Sequence, residues 1–458
     1  MVSTPPLFQH VSTCTVKPRV ALPGTPCHLS PWDLCTLSMH YIQNGLLFSN
    51  RHSSLPADDA IRSLETALSI ALLHFPPLAG RLVSEIAYDD EGQQAGMHVF
   101  VVCGDRGAEF IRAVAKHITV ADVLSPSDDE LSFVEAFFPL NGVVNYDGRS
   151  LPLLAVQFTE LADGFFLACS FNHAVGDGAA YWHFFNAWAE IARNAGAGGL
   201  SRPPVHDRWF IDGRENAPLK LPYSHPDEFI ERFAATVLCH EKVFHFSPES
   251  IAHLKAKANR ECGTDSISSF QSISSLVWRS ITRARDHPPQ QKTSCSLAID
   301  NRQRLRPPLS PDYFGNTVDI IEATATAGEL LARGLGWGAW LIHQAVAEHT
   351  DRAVREAMTA WMAGPAMYKL SGHDMCGVKM GSSSRFDVYR CDFGWGKPAA
   401  VRSGRANKYE GKVTFHPGRE GGGSMDLEIC LEPECMKALQ SDEEFTSAVC
   451  RPPELEIN

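Results

Sequence analysis

The residue whose type and position point most directly to chemistry is His173. It follows an apolar run of strand-forming residues, and Asp177 stands between two glycines just before an amphipathic helix. Loops between rigid elements commonly present catalytic side chains. Because an imidazole has an unperturbed pKa of about 6.5, a histidine in such a loop accepts a proton near neutral pH. The pattern therefore predicts a general base, with a structural histidine as the alternative.

Two strands and one helix are predicted to position this loop. Residues 153–158 and 165–171 have the composition of strands, and the Ala162-Asp163-Gly164 turn joins them as a hairpin. Downstream, large apolar residues recur at helical spacing, at Tyr181, Phe184, Phe185, Trp188 and Ile191. His173 is thus expected where a strand gives way to a helix.

Asp177 is expected to support the loop rather than to complete a catalytic triad. It lies beyond the Gly176 turn, so its carboxylate is predicted to point away from the cleft and to pair with an arginine. A metal site made of His173, Asp177 and His183 is rejected, because zinc requires three or four convergent ligands. The sequence predicts no metal.

The composition is that of a globular protein with more than one domain. The 458 residues exceed what one ordinary core holds, and 44% are hydrophobic against 21% charged. The net charge of -12 argues against a nucleic-acid partner, which would require a basic face.

The cysteines and the hydropathy pattern bear on the compartment. Thirteen cysteines are scattered without paired spacing, which fits free thiols in a reducing compartment. No run approaches roughly eighteen consecutive apolar residues, and the first residues lack the apolar segment of a secretory leader. A cytoplasmic protein with no membrane span is expected.

A stretch rich in Gly, Ser and Pro divides the chain. Residues 196–225 are predicted to form a long crossover between an N-terminal domain, 1–210, and a C-terminal domain, 211–458. Exchange of a segment between the domains is allowed near residues 365–400. His173 then lies near the domain seam, where binding clefts are common.

A helix predicted over residues 266–285 carries a candidate anion site. Ser268 and Ser269 lie at its start, where unpaired backbone N–H groups and the helix dipole favour a negative charge. Arg279 and Arg283 are four residues apart and share a face. The alternative is a helix cap followed by a solvated basic face.

Four spaced motifs resemble those of one known family. They are His173-x-x-x-Asp177-Gly178, the Pro-Leu-Ala-Gly-Arg-Leu string at 77–82, the D-x-R-x-R-L-x-P-P run from Asp300 with its Tyr-Phe-Gly-Asn sequel at 313–316, and the DFGWG motif at 392–396. In this order, from about residue 13 to residue 445, they resemble the plant BAHD acyltransferases.

The resemblance implies an α/β fold of two chloramphenicol acetyltransferase-like domains. Each would be a mixed sheet with flanking helices, with a channel between the domains. The implied reaction moves an acyl group from a coenzyme A thioester to an alcohol or amine, and the two substrates meet at His173. Acyl-CoA is then a co-substrate, no cofactor is bound permanently, and a monomer is expected.

The resemblance also implies a partner for Asp177 and a ligand for the helix that carries Ser268 and Ser269. Arg302 of the D-x-R-x-R run is the expected partner of Asp177, with Arg304 as the fallback. The helix that carries Ser268 and Ser269 resembles the one that lines the coenzyme A channel, so these serines and the two arginines that follow them are assigned to cofactor binding.

Further residues take roles from the resemblance alone. Ser30, in a Ser-Pro-x-Asp turn that the family also has, is assigned to substrate binding. Asp392, Gly394 and Gly396 are interpreted as structural. Trp395 is interpreted as mainly structural, with donation of its indole N–H to an oxyanion as the alternative.

Arg385 is a candidate for recognition of the acceptor. The alternation of residues 385–389 predicts a strand that leads into the DFGWG motif and turns one set of side chains to the channel. An arginine at this offset resembles the one that grips the acceptor carboxylate in the hydroxycinnamoyl shikimate branch of the family. The alternative is a surface arginine paired with Asp387 or with solvent.

Three rival functions follow from the same motifs. A condensation domain of peptide synthetases shares the fold, but it carries a second histidine where this chain has Asn172. A family member repurposed as a lyase, or as a non-catalytic binding protein for acyl-CoA or a small molecule, would keep the fold and lose acyl transfer.

Overall fold

The computed structural model describes residues 8–49, 56–124, 132–211, 213, 218–232 and 239–451. Within these ranges three β-sheets carry helices on their faces. Residues 212 and 214–217 of the predicted crossover lie outside the described part.

The N-terminal half contains nine strands and five α-helices among its described residues. The strands are β1 Gln9–Val16, β2 Thr25–His28, β3 Ile42–Ser49, β4 Arg81–Tyr88, β5 Gln94–Cys103, β6 Ala108–Ala115, β7 Leu154–Leu161, β8 Gly164–Phe171 and β9 Lys220–Leu221. The helices are α1 Pro31–Cys35, α2 Ala57–His74, α3 Val120–Leu124, α4 Ser132–Glu135 and α5 Gly178–Arg193.

The described part of the C-terminal half contains seven strands and seven α-helices. The strands are β10 His240–Phe246, β11 Lys292–Asp300, β12 Val318–Thr326, β13 Val378–Ser382, β14 Ala400–Ser403, β15 Lys412–Pro417 and β16 Met425–Leu431. The helices are α6 Pro248–Cys262, α7 Ser269–Ala284, α8 Ala327–Ala332, α9 Leu335–Glu348, α10 Asp351–Ala363, α11 Pro433–Gln440 and α12 Glu443–Thr446.

The first large sheet places the loop of His173 at the end of an interior strand. Its order is β1-β6-β7-β8-β3-β14, with β6 and β7 parallel and the other pairs antiparallel. Every residue of β8 is buried, as its unbroken apolar run predicts for a strand covered on both faces. The predicted hairpin is present as β7 and β8, and the predicted helix is α5.

The second large sheet lies in the C-terminal half, in the order β10-β16-β15-β13-β11-β12. Its parallel pairs are β11 with β13 and β13 with β15. Helices α7 and α9 pack on one face through a core that includes Leu276, Trp278, Ala339 and Ile342. A smaller sheet joins β2, β5, β4 and β9.

One strand of the C-terminal half joins the sheet of the N-terminal half. Strand β14 of the C-terminal half pairs with β3 in the first sheet, at the end of the range where the sequence allowed an exchange. The first core also includes Phe210, Leu219, Leu221 and Phe229, so its packing continues beyond residue 210 into the predicted crossover.

Candidate active site

His173 lies in the turn between β8 and α5, held at both sides. The side chain of Asp177 caps α5 by accepting hydrogen bonds from the backbone N–H groups of Ala179 and Ala180, at 3.0 and 3.1 Å. The backbone N–H of His173 donates to Oδ1 of Asn145, at 2.7 Å. The imidazole is therefore carried on a backbone fixed from both directions.

The imidazole is oriented by Asn316 of the Tyr-Phe-Gly-Asn string. Nδ1 of His173 lies 3.1 Å from Oδ1 of Asn316. Nδ2 of the same amide donates to Oδ1 of Asp33 and to the backbone carbonyl of His173, at 2.8 and 2.7 Å. Both of those partners only accept, so the amide oxygen must face the imidazole and can only accept from it. Nδ1 therefore carries the proton, and Nε2 of the neutral ring keeps its lone pair.

The electrostatic surroundings favour the neutral ring. Burial lowers the pKa of His173 below its ordinary value, and this effect exceeds the opposing influence of Asp177, Asn316 and Asp33. His173 is partly buried, so it remains open on one side. A neutral imidazole with a fixed tautomer and a free Nε2 is the form that accepts a proton.

Asp177 points away from the imidazole and clamps the two halves of the chain together. Its carboxylate accepts from Nη1 and Nη2 of Arg302, at 2.8 and 3.0 Å, and from the backbone N–H of Thr317 at 3.1 Å. Nη2 of Arg302 also donates to the carbonyls of Tyr313 and Gly315. The predicted ion pair of Asp177 with Arg302 is present. Arg304, the fallback, donates instead to carbonyls at the end of α9.

Asn145 and Asn172 hold the loop from within the N-terminal half. Nδ2 of Asn145 donates to the carbonyl of Thr36, and Nδ2 of Asn172 donates to the carbonyl of Asn145, each at 2.8 Å. Sequence reasoning gave no role to Asn145. The signal lay in Val144-Asn145-Tyr146, a polar residue between apolar ones, yet only the fold brings it to His173.

Ser30 supports Asp33, and the structure contradicts its assignment to substrate binding. Ser30 is fully buried and caps α1, and its N–H and Oγ both donate to Oδ2 of Asp33, at 2.9 Å. Asp33 in turn accepts from Asn316 at 2.8 Å. A capping serine with no exposed surface cannot contact a substrate, so Ser30 acts on the site through Asp33 and Asn316.

Arg208 is a buried site residue in the predicted crossover. Its Nε lies 3.4 Å from Oδ2 of Asp33, Nη2 donates to the carbonyl of Val175, and Nη1 donates to the carbonyl of Phe314. It therefore bridges the loop of His173 and the Tyr-Phe-Gly-Asn string. The Gly- and Pro-rich composition of the crossover concealed this residue, because composition predicts a linker and not what one side chain contacts.

The DFGWG motif forms a corner distant from His173, so Trp395 as an oxyanion donor is wrong. Trp395 packs against Phe165 with ring centroids 4.9 Å apart, and Phe165 lies near the opposite end of β8 from His173. Phe171 lies six positions after Phe165 along the strand, a distance of roughly 20 Å. Oδ1 of Asp392 accepts from the N–H groups of Gly394 and Gly396, whose φ angles of 100° and 89° suit glycine.

Ser268 and Ser269 lie at the N-terminus of α7, as predicted. Ser268 is the cap, since its Oγ accepts from the N–H of Gln271 at 3.2 Å and Oε1 of Gln271 accepts from the N–H of Ser268 at 2.7 Å. This is a capping box. Ser269 opens the helix and is partly buried.

Arg279 and Arg283 face the protein's own acceptors, which corrects their assignment to coenzyme A. Arg279 is buried and donates to the carbonyls of Leu330 and Arg333. Nη2 of Arg283 donates to Glu444 at 2.7 Å, and Nη1 pairs with Asp442. These groups tie α7 to the C-terminal helix α12. The buried guanidinium of Arg279 is not available to a phosphate, and that of Arg283, which is partly exposed, is already ion-paired.

Arg385 lies in an exposed turn after β13 and not in the predicted strand. Its backbone N–H donates to Oγ of Ser383 at 3.1 Å, and residues 388–390 form a short 3-10 helix. The side chain lines a groove along the outer side of α5 together with His183 and Asn186. Among the described residues its guanidinium has no ion-pair partner, and the predicted pairing with Asp387 is made instead by Arg390 at 3.8 Å.

Two properties of the described residues bear on metals and membranes. Across the part of the chain that the structure describes, no three His, Cys, Asp or Glu side chains converge as a metal site requires. Within the same ranges, no helix combines the length and apolar content needed to cross a bilayer.

Comparison with known proteins places the chain in a family. A family model described as the Transferase family matches residues 9–446. An uncharacterised acetyltransferase of Arabidopsis thaliana is 38% identical over 442 residues, which cover 95% of this chain and 98% of the relative. BAHD acyltransferase DCR of the same plant is 36% identical over 456 residues, which cover 95% of this chain and 91% of the relative. The chain is a BAHD acyltransferase.

The fold of this BAHD acyltransferase is also similar to that of a solved structure. The TRI101 protein of F. graminearum, complexed with coenzyme A and T-2 mycotoxin, superposes with a TM-score of 0.73 at 20% identity, over 93% of this chain and 99% of that one. The predicted family and the predicted two-domain α/β fold are both confirmed.

Proposed function

We propose that this BAHD acyltransferase moves an acyl group from a coenzyme A thioester to an alcohol or amine, with Nε2 of His173 as the general base. The observation that carries the proposal is the orientation of Asn316. Its amide is fixed by Asp33 and by the carbonyl of His173, so it holds Nδ1 protonated and leaves Nε2 free.

The proposed reaction needs no covalent intermediate on the protein. As the acceptor oxygen or nitrogen attacks the thioester carbon, Nε2 of His173 removes its proton. The imidazolium that forms keeps its Nδ1–H bond to Asn316. Collapse of the tetrahedral intermediate expels the thiolate of coenzyme A, which takes the proton back from Nε2. General base catalysis of this kind contributes about a hundred- to ten-thousand-fold.

Asp177 supports the proposal by its position and not by proton transfer. Its carboxylate is occupied by Arg302, Thr317 and the first turn of α5. Loss of this carboxylate removes the cap of α5 and one partner of a buried ion pair together. Asp177 and Arg302 are therefore positioning residues that shape the loop.

The coenzyme A end of the site is proposed at the N-terminus of α7. Ser269 opens this helix of 16 residues, whose first N–H groups and dipole favour a phosphate. Ser268 contributes as the cap. Arg279 and Arg283 are not part of the proposed site, because Glu444, Asp442 and backbone carbonyls already occupy them.

The acceptor is proposed to carry a carboxylate, and Arg385 is one candidate for binding it. Its support is an unpaired guanidinium within the described residues, in a groove beside the first turns of α5. Arg385→Ala is expected to lower kcat/KM for carboxylate-bearing acceptors and to spare neutral alcohols. Equal losses for both classes would remove Arg385 from acceptor recognition.

We also infer a monomeric cytoplasmic enzyme. All thirteen cysteines are free thiols in the structure, as expected in a reducing compartment. Size-exclusion chromatography with light scattering, in reducing buffer, tests the monomer.

The reaction itself is tested by a matrix of acyl-CoA donors against alcohols and amines, read by product mass. The expected result is at least one acyl ester or amide, with release of free coenzyme A in equal amount. Elimination products without an acyl adduct would indicate the lyase, and binding without any turnover would indicate the non-catalytic protein. Either result overturns the proposal.

A further inference from the structure

Two lysines stand side by side on neighbouring strands of the second sheet. Lys379 of β13 and Lys412 of β15 are paired in register, and the strands run parallel. Both side chains are partly buried. The ammonium group of Lys412 lies over Gly381, where even a methyl group would overlap Nζ. The absence of a side chain at Gly381 thus makes room for this ammonium.

The lysines lie on the face of the sheet that is turned to the domain seam. Their neighbours Val378, Met380 and Val413 belong to the core beneath α7 and α9. Because successive side chains of a strand alternate between faces, Lys379 and Lys412 occupy the opposite face. That face receives the exchanged strand β14, since the N–H of Ser403 donates to Glu428 at 2.9 Å.

Within the described ranges, neither ammonium group forms an ion pair with an acidic residue. Glu428, on the adjacent strand β16, is occupied by Lys408, His416 and Ser403. Among the acids that line the cavity with Lys379, Glu410 pairs with Arg285, Glu322 accepts from Ser296, and Asp374 accepts from Ser294. The pair stands out because acids outnumber bases by 53 to 41 in the chain.

The lack of a counter-ion has an electrostatic consequence. Burial, with a further contribution from Lys379, lowers the pKa of Lys412 to about 7, and burial also lowers the pKa of Lys379. Lys408 provides the comparison, because it is also buried but its acidic partners Glu241 and Glu428 raise its pKa. Two unbalanced ammonium groups in contact with the seam favour an anion supplied from outside.

The seam beside Lys379 is connected to the catalytic loop. Lys379 lines a cavity of about 250 Å³ whose wall includes Met39 of the N-terminal half. The carbonyl of Met39 accepts from the N–H of Asn145 at 2.8 Å, and Oδ1 of Asn145 accepts from the N–H of His173. One residue therefore links the cavity wall to the backbone of the catalytic histidine.

We propose that Lys379 and Lys412 form an anion subsite that binds the carboxylate of a substrate at the domain seam. This inference rests on the proposed function, since it describes the substrate on which His173 acts. The subsite is more enclosed than Arg385, which lies in an exposed turn. Each ammonium group can donate to a carboxylate oxygen, and Thr414 pairs with Gly381, over which the ammonium of Lys412 lies.

Limited acetylation of the intact protein by an amine-reactive ester, read by peptide mass spectrometry, tests the subsite without turnover. Lys412 is expected to react with a midpoint near pH 7, and ion-paired Lys408 should stay unreactive. Exposed Lys220 provides the reference for labelling of an accessible lysine. Adding benzoate or malonate should lower the labelling of Lys412 about threefold or more and leave Lys220 unchanged.

Two results of this experiment overturn the proposal. One is labelling of Lys412 that no carboxylate alters. The other is protection by coenzyme A or inorganic phosphate but not by benzoate or malonate, which would assign the subsite to a phosphate. Neither result bears on acyl transfer by His173, so failure of this inference is distinguishable from failure of the proposed function.

Kinetics of Lys412→Met provide the second measurement. KM for carboxylate-bearing substrates should rise about tenfold, with neutral substrates unaffected, and Lys220→Met should match the parent protein. Removal of a buried, unbalanced charge is not expected to unfold the protein, and thermal denaturation checks this. Equal KM changes for charged and neutral substrates would contradict the assignment.

Discussion

The carboxylate of Asp177 and the guanidinium of Arg302 join the two halves of the chain by paired hydrogen bonds of 2.8 and 3.0 Å. Both groups are almost fully buried. Although burial by itself raises the pKa of Asp177, Arg302 and the backbone N–H donors lower it below its ordinary value. The pair therefore stabilises the folded protein above the ordinary pKa of an aspartate, and this contribution disappears as the pH falls through the lowered pKa.

Asp177→Ala is expected to lower the free energy of unfolding by about 3–5 kcal/mol near neutral pH, because it leaves Arg302 buried without its partner. Arg302→Ala should cost a similar amount. Urea denaturation of the single and double variants measures both, and the double variant should lose less than the sum. Additive losses would show that the two residues act independently.

The pH profile of kcat/KM should have its acid limb below the ordinary histidine range of about 6.5. The reason is that burial lowers the pKa of His173, and only the neutral ring accepts a proton. The position of the acid limb is measured from rates with saturating acyl-CoA from about pH 4.5 upwards, within the range where the protein stays folded. An acid limb above the ordinary range would mean that His173 is held as the cation.

Asn316→Ala should lower kcat by about tenfold or more with little change in acceptor KM, because the imidazole loses the bond that fixes its tautomer. The acid limb should also move to lower pH, since the bond to Asn316 favours the charged ring. If Asn316→Ala only destabilised the fold, the amount of active enzyme would fall but the pH profile of the rate would not move. Circular dichroism of the variant provides the control.

The local parts of the site were predictable from the sequence. His173 at a strand-to-helix junction and Asp177 paired with an arginine follow from residue types and turn chemistry within a few residues. The family motifs then singled out Arg302 correctly. The confirmed hairpin, β7 with β8, and helix α5 have strong periodicity and clear turn signals.

The support of the imidazole was not predictable, because it depends on contacts distant in sequence. Asn316 reaches His173 across 143 residues, and Asp33 reaches Asn316 across 283. The same limit explains the error at Arg283, whose partner Asp442 lies 159 residues away. Helical spacing shows which residues share a face but not what that face meets.

The strand predicted over residues 385–389 is absent for a different reason. Alternation over only five residues is too short to distinguish a strand from a turn, and β13 ends at Ser382. The positive φ of 65° at Ser382 ends the extended conformation there. A short pattern beside a serine-rich segment is weak evidence for a strand.

Ser268→Ala and Ser269→Ala are expected to separate capping from anion binding. Ser268→Ala should cost about 1 kcal/mol of stability, because it removes the cap of α7. Ser269→Ala should leave stability unchanged and weaken acyl-CoA binding, with a smaller salt dependence than the parent protein. Isothermal titration at low and high salt measures the second effect. If the affinity for acyl-CoA does not change with salt in the parent protein or in either variant, the phosphate site lies elsewhere.

The most direct test of the central claim is product formation by His173→Ala under saturating acyl-CoA and acceptor. His343→Ala, which removes a partly buried histidine stacked on Trp340 of α9, is the matched control. His173→Ala is expected to fold, to bind acyl-CoA normally and to lose about a hundredfold or more in kcat, while the control retains its rate. Near-normal acyl transfer by His173→Ala would contradict the central claim.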